Sequence, residues 1–282
     1  MLKKFHTALF VLLLIASLPV FSQTKIDQSK EELKEGSEVH ETDTYTHQNR
    51  PRKHRRTRDE EANPLTQLVT DIFAYTTYFA VIGNYQIEDH LYNSVAPYPY
   101  APGYTGNYKG YDSISQTFNR FRMDVSDQFL YNNKDLFANH LKVKIRPFQY
   151  FYLQTDYHQL MAFDKQTDSY DHLTLLHLNV HYDRLRFEKV NLGWHIGMNY
   201  VGNDVQKAGF NMGLNTEVFI GNNISMNLAG KWGWVNQTPI QVLECQAQYH
   251  INHTFISIGY EHLEIGSPDF DFAAIGFGVY LP

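Results

Sequence analysis

The sequence predicts an all-β fold: an up-and-down antiparallel β-barrel of about ten strands, preceded by a disordered or partly helical N-terminal segment. From about residue 118 onward, apolar and polar residues alternate with a period of two, which is the side-chain period of a β-strand. No stretch between the predicted strands is long enough for a crossover helix, so consecutive strands should pair antiparallel. The predicted strands span residues 118–130, 137–147, 150–160, 173–184, 189–201, 208–220, 224–235, 240–251, 254–264 and 271–281.

The composition supports strands and excludes two classes of site. Aromatic residues make up 15% of the 282 residues, with 20 Tyr and 19 Phe, which suits half-buried strands. The net charge of −6 argues against nucleic acid as a partner. The single cysteine, Cys245, excludes an internal disulfide and a cysteine-based metal site. We predict no nucleic-acid partner, no metal and no cofactor.

Residues 1–22 have the pattern of a secretory signal peptide. Lys3 and Lys4 precede "ALFVLLLIASLPV", an apolar run of 13 residues that is too short to span a bilayer, and the small residue Ser22 marks a plausible cleavage point. No later run of about 18 apolar residues follows. The sequence thus predicts an exported protein that is either soluble or inserted into a membrane as something other than a helix.

Two segments separate the signal peptide from the predicted barrel, which occupies residues 118–282. Residues 23–62 are polar and charged and predict a disordered linker. Its basic cluster "RKHRRTR", Arg52–Arg58, is either a solvated charge run or a contact for an anionic partner such as phosphate-rich lipid. Residues 63–117 predict a short helix from about Pro64 and irregular Tyr-, Pro- and Gly-rich loops, which could plug the barrel, lie at a membrane surface or pack on the barrel.

The alternation leaves one apolar and one polar face, and three features favour an outward apolar face. The apolar face carries more large rings than a narrow ten-strand interior could pack. The polar face is rich in glycine, which suits a crowded interior. The apolar face lacks charged residues on the central strands, as a lipid-exposed surface should, because a charge at mid-bilayer costs roughly 2–4 kcal/mol. The predicted membrane-facing aromatic residues are Trp194, Trp232, Trp234, Tyr200, Tyr249 and Tyr260.

These features resemble the small outer-membrane β-barrel proteins of Gram-negative bacteria. The stretches that carry the resemblance are "GWHIGMNY", "GFNMGLNTEVFIGNNISMNLAGKWGW" and "AAIGFGVYLP". The resemblance implies an outer-membrane location, the lipid bilayer and the barrel-insertion machinery as partners, and short periplasmic turns with longer outer loops. Proteins of this family end their last strand on an aromatic residue, whereas this chain ends in Leu281 and Pro282.

By the same parity, the inward face should carry a lumenal polar network with six cationic and six acidic side chains. Such a balance favours a self-neutralising core over an ion-selective pore, because buried charges need partners. The predicted network comprises Arg120, Arg122, Asp124, Lys142, Lys144, Arg146, Asp156, His177, His181, Asp183, His195, Glu217, Lys231, Glu244 and Glu261.

Turn lengths predict the register of the acidic residues in this network. A two-residue turn at Asn252 and His253 would set Glu244 opposite Glu261, and a four-residue loop at 236–239 would set Lys231 opposite Glu244. The two carboxylates would repel each other unless Lys231 or an arginine lies between them.

The predicted histidines are interpreted as hydrogen-bonding groups. A connection at 186–190 would set His181 opposite His195. His177 and His181 lie four residues apart on one strand, about 13 Å, which is too far for both to chelate one ion.

Three functions agree with the sequence, and no catalytic residue can be named. The first is a non-enzymatic outer-membrane protein, either a narrow or plugged, porin-like channel or a membrane scaffold. The second is a lipid-modifying or proteolytic enzyme of the outer membrane that uses loop residues. The third is a secreted soluble barrel that binds an apolar ligand. The loop residues considered for the second function are Asp164, Asp168, Ser169, Asp171 and His172 in one cluster and Asp204 in another.

Overall fold

The structure is a computed structural model that describes residues 22–36, 77–109, 121–133, 135–164 and 169–281. The predicted signal peptide, apart from its last residue, and the basic cluster Arg52–Arg58 lie outside the described residues. Within the described ranges, no helix has the length and apolar character that crossing a membrane requires.

The described chain forms a closed antiparallel barrel of ten strands, which confirms the predicted fold. Each strand pairs with its neighbours in sequence, and the last strand closes the barrel against the first, with Phe277 opposite Asp127. Helix α1 (Ser22–Glu35), a 3-10 turn (Asp89–Tyr92) and the short strands β1 (Ser94–Val95) and β2 (Tyr108–Lys109) are not part of the barrel wall. The barrel strands are β3 (Arg122–Asn133), β4 (Leu136–Arg146), β5 (Phe151–Asp164), β6 (Ser169–Arg186), β7 (Val190–Val201), β8 (Lys207–Gly221), β9 (Ile224–Val235), β10 (Thr238–Ile251), β11 (Thr254–Ile265) and β12 (Asp269–Leu281).

The barrel has two mouths, and both are ringed by short connections. We call the mouth where β3 begins and β12 ends the terminal mouth; its connections are residues 147–150, 187–189, 222–223 and 252–253. The opposite mouth has the connections 134–135, 165–168, 202–206, 236–237 and 266–268. Of the longer loops predicted for one end, the one between β5 and β6 is shortened, because these strands extend the ladder to the pair Asp164 and Ser169.

Positive backbone angles at asparagines set the tight turns and the register. Asn236 and Gln237 have φ values of 51° and 66°, the combination that a two-residue hairpin turn of type I′ needs. The predicted four-residue loop is therefore wrong, and Lys231 lies opposite Val242 instead of Glu244. At the Asn252 turn, the predicted pairing of Glu244 with Glu261 is confirmed.

The polar face of the barrel points inward and the apolar face outward. Leu214 and Trp232 point outward and are 53% and 36% exposed, whereas Arg146 and Glu217 point into the lumen and are only 1% and 9% exposed. The prediction for the two faces is thus confirmed. Polar residues also occur on the outward face: Asp127 accepts a hydrogen bond of 2.8 Å from the side chain of Asn139.

Helix α1 closes the opposite mouth with one face. Ile26, Ser29, Lys30 and Leu33 follow the i, i+3, i+4, i+7 spacing of a helix face, and all four are buried. The hydroxyl of Ser29 donates to the carbonyl oxygen of Ile265 at 3.1 Å.

This helix corrects the prediction for the N-terminal part of the 23–62 linker, which was expected to be disordered. The ammonium of Lys30 pairs with Asp171, and Asn236 donates to the carbonyl oxygen of Leu33 at 3.0 Å. Because these partners belong to the rim of the barrel, a polar sequence gains a fixed helix there; the rest of the linker lies outside the described residues.

Residues 77–109 cover the terminal mouth and part of its outer rim. Inside, the hydroxyl of Tyr108 donates to Asp183 at 2.5 Å, and Arg122 donates to the carbonyl oxygen of Ala96 at 3.1 Å. Outside, Arg184 pairs with Glu88 at 2.9 Å. Within residues 77–109, part of the segment thus fills the terminal mouth and part packs on the outside of the barrel.

The Glu88 carboxylate anchors the outer part of this segment. Burial raises the pKa of Glu88, but the hydrogen bonds from Arg184 and from the backbone of Asn84 outweigh burial and hold its pKa below the ordinary value. The pair therefore stays ionised at neutral pH.

The Leu33→Ala substitution should weaken the docking of α1 without unfolding the barrel. Leu33 is fully buried against the apolar residues of the opposite mouth, and a buried Leu→Ala change costs about 2–5 kcal/mol. Hydrogen exchange of the α1 amides should accelerate while the strand amides keep their protection. The exposed residue Glu31 gives the matched control, Glu31→Ala, and equal exchange in the two variants would contradict the packing described for α1.

Candidate functional site: the lumenal charge network

The middle of the lumen holds two lysines and two carboxylates that alternate in charge. The Nζ of Lys231 lies 2.7 Å from Glu244 and 3.2 Å from Asp156. The Nζ of Lys142 lies 2.6 Å from Glu244 and 3.8 Å from Asp156. The four groups come from β4, β5, β9 and β10, so the ring forms only when the barrel closes.

A histidine pair joins this ring to a third carboxylate. The imidazole of His140 contacts Glu261 through Nδ1 at 3.0 Å and Asp156 through Nε2 at 3.2 Å. The imidazole of His158 stacks on that of His140 with 3.7 Å between ring centroids, and its Nε2 lies 2.8 Å from Glu261. Among the described residues, two sets of atoms lie close enough to share an ion: His140, His158 and Glu261, and His140, Asp156 and Glu244.

Towards the terminal mouth, arginine and lysine side chains pair with carboxylates and contact residues 77–109, which we call the covering segment. Arg146 donates to Asp183 at 2.9 Å and its guanidinium lies over the ring of Tyr152. Arg122 pairs with Asp124 at 2.8 Å. Every one of these side chains is buried, as isolated charges could not be.

Glu217 links this layer to the covering segment. Its carboxylate pairs with Lys144 at 3.0 Å and also accepts a hydrogen bond from the side chain of Asn107. The covering segment is therefore held by the same charges that fill the lumen.

Towards the opposite mouth, the inward positions become apolar. Leu160 follows His158 and Asp156 along β5, and Leu175 precedes His177 on β6. The apolar layer, together with Ile26 and Leu33 of α1, consists of Leu130, Leu136, Ala138, Leu160, Ala162, Leu173, Leu175, Val201, Val205, Val235, Ile240, Val242, Leu263, Ile265, Phe270, Phe272 and Ala274.

A polar cavity of about 60 Å³ lies between the covering segment and the middle layer. Its lining includes Asn107, Lys144, His195 and Asn227. At roughly 15 Å³ for each water, it has room for about four water molecules. Both ring nitrogens of His195 are buried and lack a hydrogen-bond partner among the described residues, which is the situation that buried water relieves.

The structure places the predicted network residues inside the barrel, apart from Arg120, which lies outside the described residues. The histidines of β6 and β7 do not join the ion pairs: His177 hydrogen-bonds Asn199, and His181 hydrogen-bonds Asn215. The predicted pairing of His181 with His195 is confirmed, with 4.4 Å between ring centroids. The inward residues in the described network are Arg122, Asp124, Lys142, Lys144, Arg146, Asp156, His177, His181, Asp183, His195, Glu217, Lys231, Glu244 and Glu261.

The predicted aromatic residues lie on the outer face, with one difference. Trp194 is half-buried, because residues near 81 cover it and its indole donates to the carbonyl oxygen of Val81 at 2.9 Å. Of the predicted aromatic residues, those that remain exposed are Tyr200, Trp232, Trp234, Tyr249 and Tyr260.

Sequence reasoning missed His140 and His158, which share the inward parity of Lys142 and Asp156. The same two-residue spacing could have identified them. The closeness of the two histidines to Glu261, however, depends on a contact across the lumen between β11 and the β4–β5 pair.

No protein-family model matches the sequence, and no curated protein matches it. Among solved structures, the chain is similar to the N-terminal β-barrel domain of Pseudomonas aeruginosa OprF, at 10% identity and a TM-score of 0.29, over 57% of this chain and 96% of that one. It is also similar to the COG4313 outer membrane channel from Pseudomonas putida F1, at 8% identity and a TM-score of 0.34, over 61% of this chain and 99% of that one. The likeness concerns the barrel architecture alone.

Proposed function

We propose that the protein is a non-enzymatic outer-membrane β-barrel with a plugged lumen, which serves as a membrane scaffold and not as an open channel. The observation that carries the proposal is the filling of the lumen at three levels. The terminal mouth is closed by residues 77–109, the middle by the Lys231–Glu244 ring, and the opposite mouth by α1.

The outer surface supports insertion into a membrane. Large apolar side chains such as Leu214, Ile258 and Phe277 are more than half exposed, which water-facing barrels avoid. The closed ladder also leaves no strand edge, and hydrocarbon requires that every backbone group has a partner.

The two alternatives receive less support from the contacts. For an enzyme that uses loop residues, Asp171 would have to be available, but it pairs with Lys30 of α1. For a soluble barrel, an apolar ligand would need an apolar interior, but the only apolar layer among the described residues is filled by Ile26 and Leu33.

The two described N-terminal segments, α1 and residues 77–109, lie at opposite mouths of the barrel. Gly36 packs against Asn236 at the opposite mouth, whereas Ile82 contacts Tyr182 near the terminal mouth. In a bilayer, α1 and residues 77–109 therefore lie on opposite sides.

Reconstituted protein should show no steady ion conductance in planar bilayers. The lumen is blocked at three levels, so deletion of residues 22–36 should also leave conductance absent, because the charge layer persists. An open porin in the same bilayers serves as the positive control. Stable conductance steps from the wild-type protein would contradict the plugged scaffold.

Cysteine labelling should report membrane insertion. Glu31 on α1 and Ile87 near the terminal mouth are exposed, and each can be changed to cysteine in a Cys245→Ser background. A membrane-impermeant thiol reagent should modify one of the two positions on intact cells and the other only after the outer membrane is permeabilised. Modification of both on intact cells, or recovery of the protein in the soluble fraction, would contradict an inserted barrel.

A further inference from the structure

The His140, His158 and Glu261 side chains have the composition and closeness of a metal-binding site. Their ligand atoms lie within 4.8 Å of one another, and all three side chains are at least 99% buried. The residues project from β4, β5 and β11, and His140 and His158 are direct partners in the β4–β5 ladder. The backbone of the closed barrel thus holds the donors in place before any ligand binds.

His140 has the second contact that metal-bound histidines commonly make. Its Nε2 lies 3.2 Å from Asp156, which leaves Nδ1 directed at Glu261. Histidine ligands usually donate their second ring nitrogen to a carboxylate, which fixes the ring and its tautomer. Asp156 is itself fixed, because Gln154 donates to it at 2.9 Å and Lys231 pairs with it.

His158 has donor atoms that the described protein leaves unused. Its Nε2 is 2.8 Å from the Oε1 of Glu261, yet neither atom has a partner with hydrogen-bond geometry among the described residues. Both atoms are therefore available to bind an ion placed between them once the 2.8 Å contact opens slightly. Buried polar atoms otherwise have partners in nearly every case.

The charges around the site favour a cation. Asp156 and Glu244 share the two ammonium groups of Lys142 and Lys231, whereas Glu261 has no Lys or Arg partner in the described part of the chain. Three carboxylates therefore face two ammonium groups, and the third carboxylate, Glu261, is paired only with the imidazoles of His140 and His158. The second possible set, with Asp156 and Glu244, is a poor metal site because both of its carboxylates already bind lysine.

We propose that His140, His158 and Glu261 bind one divalent transition-metal ion of the Zn²⁺ type. Two imidazoles and a carboxylate suit such an ion, whereas Ca²⁺ and Mg²⁺ prefer oxygen ligands alone. The fourth position belongs to a water molecule or a neighbouring donor, as in other three-ligand zinc sites. The site lies in the sealed middle of the lumen, so the ion has a structural role, and it joins β11 to the β4–β5 pair.

The test is metal loading during refolding of the full chain without a polyhistidine tag. Protein refolded into detergent with Co²⁺ or Zn²⁺ and then desalted should retain one ion per chain. The variants His158→Gln and Glu261→Gln should retain none, whereas His181→Gln, which removes another buried lumenal histidine, should retain one. Circular dichroism and the altered gel mobility of unheated barrel establish that each variant has folded.

The outcomes separate a built site from adventitious binding. Wild-type protein without bound metal, or equal binding by Glu261→Gln, would overturn the proposal. If a variant does not fold, the Co²⁺ spectrum of the wild type decides: intense visible bands of a four-coordinate ion support the site, and weak bands of a hydrated ion contradict it. The result is independent of the conductance measurement, so the metal site and the plugged scaffold can fail separately.

Discussion

A narrow closed barrel has to neutralise every charge that it encloses, and the rest of this structure depends on that constraint. Strand geometry sends alternate side chains inward, and closure of the β12–β3 ladder removes any gap through which they could reach water. Lys231, which is 2% exposed, therefore has to find its partners across the lumen. The ring that it forms with Glu244 and Asp156 is a consequence of closure and cannot exist in any smaller part of the fold.

The sequence predicted the barrel because the alternation of apolar and polar residues is a local pattern. A period of two over ten segments is visible in any window of the chain, and the placement of Leu214 outside and Arg146 inside follows from it. Helix α1 had no such signal. Only Ile26 and Leu33 on its buried face are apolar, and Lys30 is buried only because Asp171 and Asp204 of the opposite mouth lie beside it. The position of α1 thus depends on contacts between segments far apart in sequence, which a local sequence pattern cannot show.

Parity predicted which side chains face the lumen, but it did not predict which of them meet. The sequence predicted that Lys231 would lie directly opposite Glu244; a shorter turn moved the register by two residues, and the flexible lysine still reaches Glu244 diagonally. The contact of His140 and His158 with Glu261 could not be predicted from parity or from turn length. It depends on the distance across the barrel, which only closure with a particular strand number and stagger fixes.

Different kinds of interaction close the two mouths of the lumen. The closure by α1 and the closure by residues 77–109 are therefore independent of each other. At the opposite mouth, α1 is held by apolar burial and by rim contacts, so its release would expose an apolar layer to water. At the terminal mouth, Tyr108 and Asn107 bind the same carboxylates, Asp183 and Glu217, that Arg146 and Lys144 neutralise. Among the described residues, no hydrogen bond or ion pair joins either closure to the Lys231–Glu244 ring. Displacement of α1 alone, or of residues 77–109 alone, therefore leaves the Lys231–Glu244 ring in place. A continuous aqueous path through the lumen would require both mouths and the ring to rearrange.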